Sequence, residues 1–323
     1  MELDCVARLP IENGYLFVHL PKTAGTSFRD SLERAFGDGL YCDYGPDPTT
    51  SQAVSDYIYQ QKAFFEFGSF LSSLNQLICL SGHYSIKKYG PFFYIKNVII
   101  FLRDPIQRII SQYEHAKRVD GVTESLESFC SRPVHMNLQS RNINRVPFNL
   151  IGFLGIQELY SESLELFKAH SGLHMHEAFL NINNQRVSKT YQPDDEMLAL
   201  LQRNNDKDLI LYRRASKLFK QRYELFSMGK KYMHGAVSFR NERRVAGWAL
   251  NHGDEEPVEV SISVNGELVA NVLANGYRHD LREWNVGRQG YIGFEYTHPT
   301  AIGPQDKVVC TVAENGQTLF KSL

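Results

Sequence analysis

Residues 15–28 have the sequence YLFVHLPKTAGTSF. Tyr15–His19 is an apolar run that predicts a short strand, and residues 20–25 predict a loop. Apolar side chains recur at helical spacing from about Thr26 onward, which predicts an amphipathic helix there. A strand, a loop and a helix in direct succession indicate the repeating unit of an α/β protein.

Further along the chain the same pattern returns. Residues 77–80 and 98–102 are strand-like runs, and the second is apolar at every position, as in a central parallel strand covered on both faces. Asp104 as N-cap and Pro105 at the first helical position predict a helix directly after that run. Further helices are expected over about 158–169, 194–203 and 207–228. The fold class predicted is therefore α/β, an open parallel sheet flanked by helices.

The residue pattern changes near residue 230, where patterns typical of helices are replaced by patterns typical of short strands with tight turns. Residues 258–264 alternate apolar with polar side chains and lead into Asn265-Gly266, which predicts an antiparallel hairpin. Asn315-Gly316 repeats this turn signal. We therefore predict two domains, 1–231 with the α/β sheet and 232–323 as an all-β sandwich.

Composition limits the classes of function. The chain has 323 residues, of which 43% are hydrophobic and 22% charged, as in a soluble globular protein. No apolar run approaches the roughly 18 residues that span a bilayer, so no transmembrane segment or signal peptide is predicted. The net charge is +2 over residues 1–231 and −3 over residues 232–323, which excludes a general nucleic-acid binder. The 5 cysteines form no Cys-x-x-Cys pair, so we expect reduced thiols and no metal site.

The loop over residues 21–27, PKTAGTS, predicts an anion site. The N-terminus of a helix presents unpaired N–H groups and a partial positive charge. Gly25 allows close approach of the backbone, Thr26 and Ser27 add hydroxyl donors, and Lys22 adds a mobile cation. Because this lysine precedes the glycine, the loop differs from the nucleoside-triphosphate P-loop, which ends in Gly-Lys-[Ser/Thr].

A second signal is the string FLRDPIQRIISQY over residues 101–113. Arg103 follows the carboxyl end of the buried strand, where open α/β sheets bind ligands. Ser111 lies off the apolar stripe of the following helix, so we predict that Arg103 and Ser111 converge on one phosphate. Arg108 is interpreted as a salt-bridging surface residue.

Together, the Pro-Lys-Thr-x-x-Thr-Ser loop and the Arg-Asp-Pro-x-x-Arg-x-x-Ser-x-Tyr string resemble the two nucleotide-binding signatures of sulfotransferases that use 3′-phosphoadenosine 5′-phosphosulfate (PAPS). More narrowly, they resemble carbohydrate sulfotransferases related to heparan sulfate 2-O-sulfotransferase, over roughly residues 14–228. The resemblance implies a P-loop-like fold and transfer of a sulfuryl group from PAPS to a hydroxyl of a carbohydrate or glycoconjugate, with 3′-phosphoadenosine 5′-phosphate (PAP) as product. It implies that the 5′-phosphosulfate is held by Lys22, Thr23, Ala24, Gly25, Thr26 and Ser27, and the 3′-phosphate by Arg103 and Ser111.

Such a reaction needs a base for the acceptor hydroxyl. His83 follows a strand in Ser81-Gly82-His83, and the Gly-His pair resembles the segment that carries the base in the 2-O-sulfotransferase relatives. The pKa of histidine lies near neutrality, which suits proton transfer. Glu114 and His115 are weaker candidates for the base. Lys22 is expected to neutralise charge on the bridging oxygen as PAP leaves, and no metal is required.

Other interpretations stay open. The same fold also serves other nucleotide-dependent transferases and kinases, and a catalytically inactive glycan-binding protein would keep the fold. Residues 234–294 loosely resemble an accessory β-sandwich appended to bacterial carbohydrate-active enzymes. Animal members of the resembled family are Golgi enzymes with an N-terminal anchor, and this sequence shows none, so we expect either a cytoplasmic, bacterial enzyme or a shortened chain. Trp248 and Trp284 are candidates for stacking on a sugar, although tryptophans of a β-sandwich are more commonly buried. Basic residues that could meet an anionic sugar, or simply be solvated, are Lys87, Lys88, Arg132, Arg141 and Arg145.

Overall fold

A computed structural model describes residues 10–144, 146–173, 190–253 and 255–321, apart from the side chains of Thr26, Phe239 and Arg240. The strands are β1 Gly14–Val18, β2 Leu40–Asp43, β3 Ile78–Gly82, β4 Val98–Leu102, β5 Phe153–Ile156, β6 His234–Asn241, β7 Arg244–Leu250, β8 Glu259–Val264, β9 Glu267–Leu273, β10 Gly276–Tyr277, β11 Tyr291–Thr297 and β12 Val308–Val312. The helices are α1 Gly25–Phe36, α2 Gln52–Val54 continuing into a π-helix over Ser55–Gln60, α3 Phe64–Ser73, α4 Ile86–Tyr89, α5 Pro105–Val119, α6 Leu126–Cys130, α7 Leu138–Ile143, α8 Tyr160–Ser171, α9 Asp195–Asn204, α10 Asp206–Ser227 and α11 His279–Arg282.

The described residues divide into two compact units. The first falls within Met1–Arg145 with Phe153–Phe219, and the second within Val146–Gly152 with Lys220–Leu323. Packing thus assigns the second unit a short segment from the middle of the chain, where the Asn149 side-chain amide donates to the Gly235 carbonyl over 2.7 Å. The division into domains 1–231 and 232–323 stays a prediction.

The first unit contains a five-stranded sheet in the order β2-β3-β1-β4-β5. Every neighbouring pair is parallel, and the central strand places Leu16 between Leu80 of β3 and Val98 of β4. The carboxyl ends of parallel strands share one edge of the sheet, so the loops that follow β1, β3 and β4 emerge together. The predicted fold class, an open parallel sheet flanked by helices, is confirmed.

Local signals place the helices of this unit. The Asp104 carboxylate caps α5 by accepting hydrogen bonds from the N–H groups of Ile106 and Gln107 at 3.0 and 2.9 Å. This confirms the prediction of an N-cap at Asp104 followed by Pro105 at the first helical position. The helices predicted near residues 158, 194 and 207 begin at Tyr160, Asp195 and Asp206. Among the described residues, no helix has both the length and the apolar content needed to cross a membrane.

Aromatic packing fixes α1 against the sheet. Phe28 is fully buried, and its ring centroid lies 4.9 Å from that of Phe17 on β1 and 4.8 Å from that of Phe101 on β4. Such ring contacts add to the free energy gained by burying apolar surface. Because Phe28 lies in the first turn of α1, these contacts hold the loop 20–24 at the carboxyl edge of the sheet.

The second unit is an all-β sandwich, as predicted. Its two antiparallel sheets have the orders β10-β11-β7-β6 and β12-β8-β9. Val245 of one sheet and Ile262 of the other are fully buried in the same core. The turn between β8 and β9 has positive φ at Asn265 (53°) and Gly266 (88°), which is the left-handed turn that Asn-Gly favours.

Both tryptophans of this sandwich are buried. Trp248 is 3% exposed and Trp284 is 9% exposed. They therefore belong to the interior of the sandwich and offer no ring face to a sugar.

Candidate active site at the carboxyl edge of the parallel sheet

The two sequence signatures meet at one edge of the sheet. The His19 N–H, just after β1, donates to the Gly82 carbonyl at the end of β3 over 2.9 Å. The Arg103 guanidinium, just after β4, donates from Nη1 to the Lys22 carbonyl over 3.1 Å. Parallel pairing of β1 with β3 and β4 therefore brings Lys22, Arg103 and the segment before His83 to one region.

The loop before α1 has a strained backbone. Lys22 and Ala24 both have φ of 67°, in the left-handed region that side chains other than glycine rarely adopt. Thr23 between them is fully buried, and its hydroxyl donates to the Leu20 carbonyl over 2.9 Å. The buried Thr23 side chain thus stabilises the loop conformation through this internal hydrogen bond. Strain of this kind persists where surrounding packing enforces it, as at many ligand sites.

The amino end of α1 retains the properties of an anion site. Ala24 is the N-cap residue, and none of the described side chains accepts a hydrogen bond there. Its first turn carries no acidic residue. Unpaired N–H groups and the helix dipole therefore favour a negative charge at Gly25–Ser27. Ser27 is half-buried in this turn, while the Thr26 side chain lies outside the description.

Gly25 is required by its neighbour His19. A Cβ atom at this position would lie 2.0 Å from Cδ2 and Nε2 of the His19 ring. Any other residue would displace either the imidazole or the start of α1. Glycine here thus lets the helix N-terminus and the imidazole lie in direct contact.

Positive charge accumulates around Lys22. The Lys22 side chain is half-buried, and its pKa is lowered by burial and then by the nearby Arg118 and Arg103. The pKa of His115 on α5 is lowered by desolvation and by the charge of Lys22. Neighbouring cations of this kind repel one another, and an anion that binds among them offsets this repulsion.

Arg103 is held rigidly and is 8% exposed. The Gln139 amide accepts from the Arg103 N–H at 3.0 Å and donates to the Arg103 carbonyl at 2.9 Å. Asp208 in turn accepts from the N–H groups of Gln139 and Ser140 at 3.0 and 2.7 Å. The Arg103 Nε is buried with no hydrogen-bond partner among the described residues, and burial lowers the pKa of the guanidinium. The contacts with Gln139, together with the bond to the Lys22 carbonyl, fix the position of Arg103 at the edge of the sheet.

Gln139 and Asp208 were missed by the sequence interpretation. Both are fully buried polar residues far apart in the chain, on α7 and α10. Both lie within residues 14–228, over which the chain resembles sulfotransferases, but that range singles out neither of them.

Arg108 is fully buried, so its interpretation as a surface residue is wrong. Its guanidinium donates to Gln112 Oε1 at 2.6 Å and to the His135 carbonyl at 3.2 Å. Burial lowers the Arg108 pKa to about 10. Arg108 is buried because the segment around His135 covers this side of α5. Ser111 is half-buried in the same helix, and its convergence with Arg103 on one phosphate stays a prediction.

His83 follows β3 directly and has an exposed side chain. Its backbone N–H donates to the Asp43 carbonyl over 3.1 Å. Its ring meets those of His19 and Tyr44 edge to face, with centroids 4.7 and 4.8 Å apart. Desolvation by these neighbours lowers the pKa of His83. A neutral imidazole that is fixed in place and open to solvent is suited to accept a proton.

His19 and Tyr44 form a pair that the sequence interpretation missed. His19 is 7% exposed, and its Nδ1 lies 2.9 Å from the Tyr44 hydroxyl. The His19 pKa falls to about 3 through burial, with smaller effects of His83 and Arg29. His19 is therefore neutral near pH 7 and places no positive charge beside His83. A histidine at the carboxyl end of an otherwise apolar strand was the available signal.

Asp43 fixes the strand end that holds His83. It is 1% exposed and accepts from Lys88 Nζ at 2.6 Å and from the Tyr59 and Tyr89 hydroxyls at 2.6 and 2.7 Å. Burial by itself would raise the Asp43 pKa, but these hydrogen bonds keep it below its usual range.

Several cations considered for an anionic sugar have partners inside the protein. Lys88 binds Asp43, and Arg132 forms a 2.6 Å ion pair with Glu124. Arg141 donates to two backbone carbonyls at 2.8 and 2.6 Å. Arg145 lies outside the described residues. Within the described ranges, no three or more His, Cys, Asp or Glu side chains are grouped to hold a metal ion.

Comparison with known proteins finds a relative that is similar in sequence over most of both chains. No family model matches the chain. Heparan-sulfate 6-O-sulfotransferase 1-B of Danio rerio is 24% identical over 309 aligned residues, covering 73% of this chain and 74% of that protein. The broad likeness to sulfotransferases is thus supported by sequence, while the narrower likeness to 2-O-sulfotransferases stays a prediction.

Two solved sulfotransferase structures are weakly similar. Mouse sulfotransferase SULT7A1 complexed with PAP is 12% identical, covers 69% of this chain and 87% of its own, and has a TM-score of 0.34. A sulfotransferase from Alicyclobacillus acidocaldarius is 12% identical, covers 69% of this chain and 97% of its own, and has a TM-score of 0.32. Scores this low carry no functional argument.

Proposed function

We propose that residues 1–231 form a PAPS-dependent sulfotransferase that acts on a hydroxyl of a carbohydrate or glycoconjugate, and that residues 232–323 form an accessory β-sandwich. The observation that carries the proposal is the 3.1 Å hydrogen bond from Arg103 to the Lys22 carbonyl, which joins the two signatures on the sheet edge beside His83. Similarity to a sulfotransferase over about three quarters of each chain supports the same class of reaction.

The charges and donors of the site suit a cosubstrate that is anionic at both ends. The 5′-phosphosulfate would be held at the amino end of α1 by Lys22, Thr23, Ala24, Gly25, Thr26 and Ser27. Thr23 would contribute its backbone, because its hydroxyl is already bonded to Leu20. Arg103 and Ser111 would hold the 3′-phosphate, through the guanidinium of the first and the hydroxyl of the second.

The transfer itself exchanges one sulfur–oxygen bond for another. The acceptor oxygen attacks sulfur, while the bond from sulfur to the bridging oxygen of the 5′-phosphate breaks and PAP leaves with that electron pair. His83 Nδ1 or Nε2 takes the proton of the acceptor hydroxyl as general base. Lys22 stabilises the negative charge that develops on the departing phosphate. The proposal requires no metal.

The surroundings of His83 support its role as base. Its lowered pKa keeps the imidazole neutral at physiological pH, and the two edge-to-face contacts restrict its ring. His19 contributes by remaining neutral, because a second protonated imidazole would weaken the basicity of His83 further. We therefore assign His19 and Tyr44 as positioning residues for His83.

The acceptor class follows from the sequence relative. That protein is named for heparan sulfate, which is a carbohydrate, and we extend the carbohydrate class to this chain.

The test is transfer of radiolabelled sulfate from PAPS to a panel of oligosaccharides and glycolipids, with His83→Ala as the inactive control. We expect label in at least one acceptor and its loss in the variant. Parallel titrations compare PAP with ADP plus Mg²⁺. Tight binding of ADP without binding of PAP would indicate a kinase or other transferase. Glycan binding with neither PAP binding nor turnover would indicate an inactive glycan-binding protein.

A further inference from the structure

Two tyrosines form an exposed aromatic pair on the β-sandwich. Tyr277 of β10 and Tyr291 of β11 are cross-strand partners and are 44% and 52% exposed. Their ring centroids lie 5.1 Å apart, and the ring planes meet at 44°. Tyrosine is enriched at binding interfaces, because its ring is apolar and its hydroxyl can bond to polar groups.

A polar pocket adjoins this pair. Its volume is about 510 Å³, within the range of small-ligand sites. The pocket is lined by Tyr277, His279, Asp280, Arg282, Glu283 and Asn285. These side chains supply amide, carboxylate, imidazole, guanidinium and phenol groups, so the pocket offers both donors and acceptors. Arg282 Nη1 donates to the Tyr277 hydroxyl over 3.2 Å, which connects the aromatic pair to the polar lining.

Packing holds the pocket in shape. The Arg278 guanidinium donates to both carboxylate oxygens of Asp280, from Nε at 2.8 Å and from Nη2 at 2.6 Å. The Arg278 N–H also donates to the Gly290 carbonyl over 2.8 Å. Leu281, in the centre of α11, is 2% exposed, and Trp284 just after it is buried. A preformed surface loses little conformational entropy when a ligand binds.

We propose that the Tyr277–Tyr291 pair and its pocket bind an individual chain of neutral sugars. One face of a pyranose ring is covered with C–H groups and stacks on an aromatic ring, while its hydroxyls need the donors and acceptors that the pocket supplies. The angle of 44° between the rings suits a single twisted chain better than the flat face of a crystalline polysaccharide.

The charges around the pocket favour a neutral sugar chain over a polyanionic one. Two arginines at the pocket, Arg282 in the lining and Arg278 paired with Asp280, balance the two acidic residues Asp280 and Glu283. Residues 232–323 as a whole carry a net charge of −3. A sulfated or uronate-rich chain would therefore meet no net positive field. This binding site goes beyond the proposed function, because it involves neither PAPS nor the groups that transfer sulfate.

The experiment is affinity electrophoresis of the full chain in native gels that contain the neutral polymers pullulan, galactomannan or hydroxyethyl cellulose, with a heparin gel as the polyanion comparison. We expect retardation in at least one of these neutral gels. Tyr277→Ala and Tyr291→Ala should each weaken the retardation at least tenfold. Leu268→Ala is the matched control, because Leu268 is a 58% exposed apolar side chain on β9 of the other sheet. Equal thermal unfolding of the three variants would show that each is folded.

Three results would overturn the proposal. These are migration unchanged in all neutral gels, retardation that survives both tyrosine substitutions, and retardation by heparin alone. PAP titration of the same variants separates this proposal from the sulfotransferase assignment. PAP affinity should be unchanged in both, so loss of glycan binding with normal PAP binding supports the sugar site whatever the outcome of the transfer assay.

Discussion

Nη1 of Arg103 donates a hydrogen bond to the backbone carbonyl of Lys22 over 3.1 Å. The two residues are 81 positions apart in the chain and follow different strands, β4 and β1. This bond makes the strained loop before α1 and the arginine after β4 parts of one structure. A substitution at either residue is therefore expected to weaken the contacts at both ends of a bound PAPS molecule.

Arg103→Ala should weaken PAP binding by about 1.5–3 kcal/mol, or one to two orders of magnitude in Kd, because a charge-assisted contact to the 3′-phosphate is lost. Isothermal titration calorimetry with PAP measures the effect. Arg203→Ala is the control, since Arg203 is an exposed arginine on α9. An unchanged Kd in the Arg103 variant would remove this residue from the site.

His83→Ala should keep its affinity for PAP and lose roughly 10²–10⁴ in kcat, the usual contribution of a general base. Single-turnover transfer from radiolabelled PAPS measures the rate, and calorimetry measures binding. Glu114→Ala serves as the comparison, because Glu114 is the exposed alternative on α5. If the His83 variant stays active while the Glu114 variant does not, the base is misassigned.

The pH dependence of kcat/KM should have an acidic limb with its midpoint below 6.5. Desolvation lowers the pKa of His83, so the neutral, proton-accepting form persists to lower pH than in a free histidine. Activity should thus rise with pH through this pKa and reach a plateau before neutrality. Tyr44→Ala should raise the midpoint toward 6.5, because it removes a ring that packs against His83 and so reduces the desolvation of the imidazole. A midpoint above pH 7 would contradict the predicted environment of His83.

The protein should lose about 2 kcal/mol of unfolding free energy between pH 7.5 and pH 5 through His19 alone. The His19 pKa is about 3 when folded and near 6.5 when unfolded, so the unfolded chain binds the extra proton in this interval. Stability therefore falls as the pH falls. Urea unfolding at both pH values measures the loss, and His19→Gln should show a loss about 2 kcal/mol smaller. An identical pH dependence in the two proteins would show that His19 titrates normally.

Arg108→Ala should destabilise the protein by about 2–4 kcal/mol, because it removes a fully buried side chain and leaves its hydrogen-bond acceptors unpaired. Arg108→Lys should be nearly as harmful, since an ammonium group cannot reproduce the two guanidinium contacts. Chemical denaturation measures both variants. A loss below about 0.5 kcal/mol, as for a typical surface substitution, would restore the surface interpretation of Arg108.

Local patterns in the sequence determined the elements and the fold class. The uniformly apolar run 98–102 is a central strand, Asp104 caps α5, and Asn265-Gly266 forms the left-handed turn of a hairpin. Each of these features depends on neighbours within a few residues, through hydrophobic periodicity, capping or turn conformation. The composition of residues 232–323 likewise indicated β structure before any long-range contact was known.

Only the tertiary structure decided which side chains meet. It buried Arg108 beneath the segment of His135, joined Arg103 to Lys22, and set His19 and its partner Tyr44 against His83. The tyrosine pair on the sandwich likewise depends on the pairing of β10 with β11. The periodicity of a strand or helix fixes which face a residue occupies, but the order of strands and the segments that cover a face arise from contacts between distant parts of the chain. For that reason the protonation and burial of these side chains depend on the fold and could not be predicted from their local sequence.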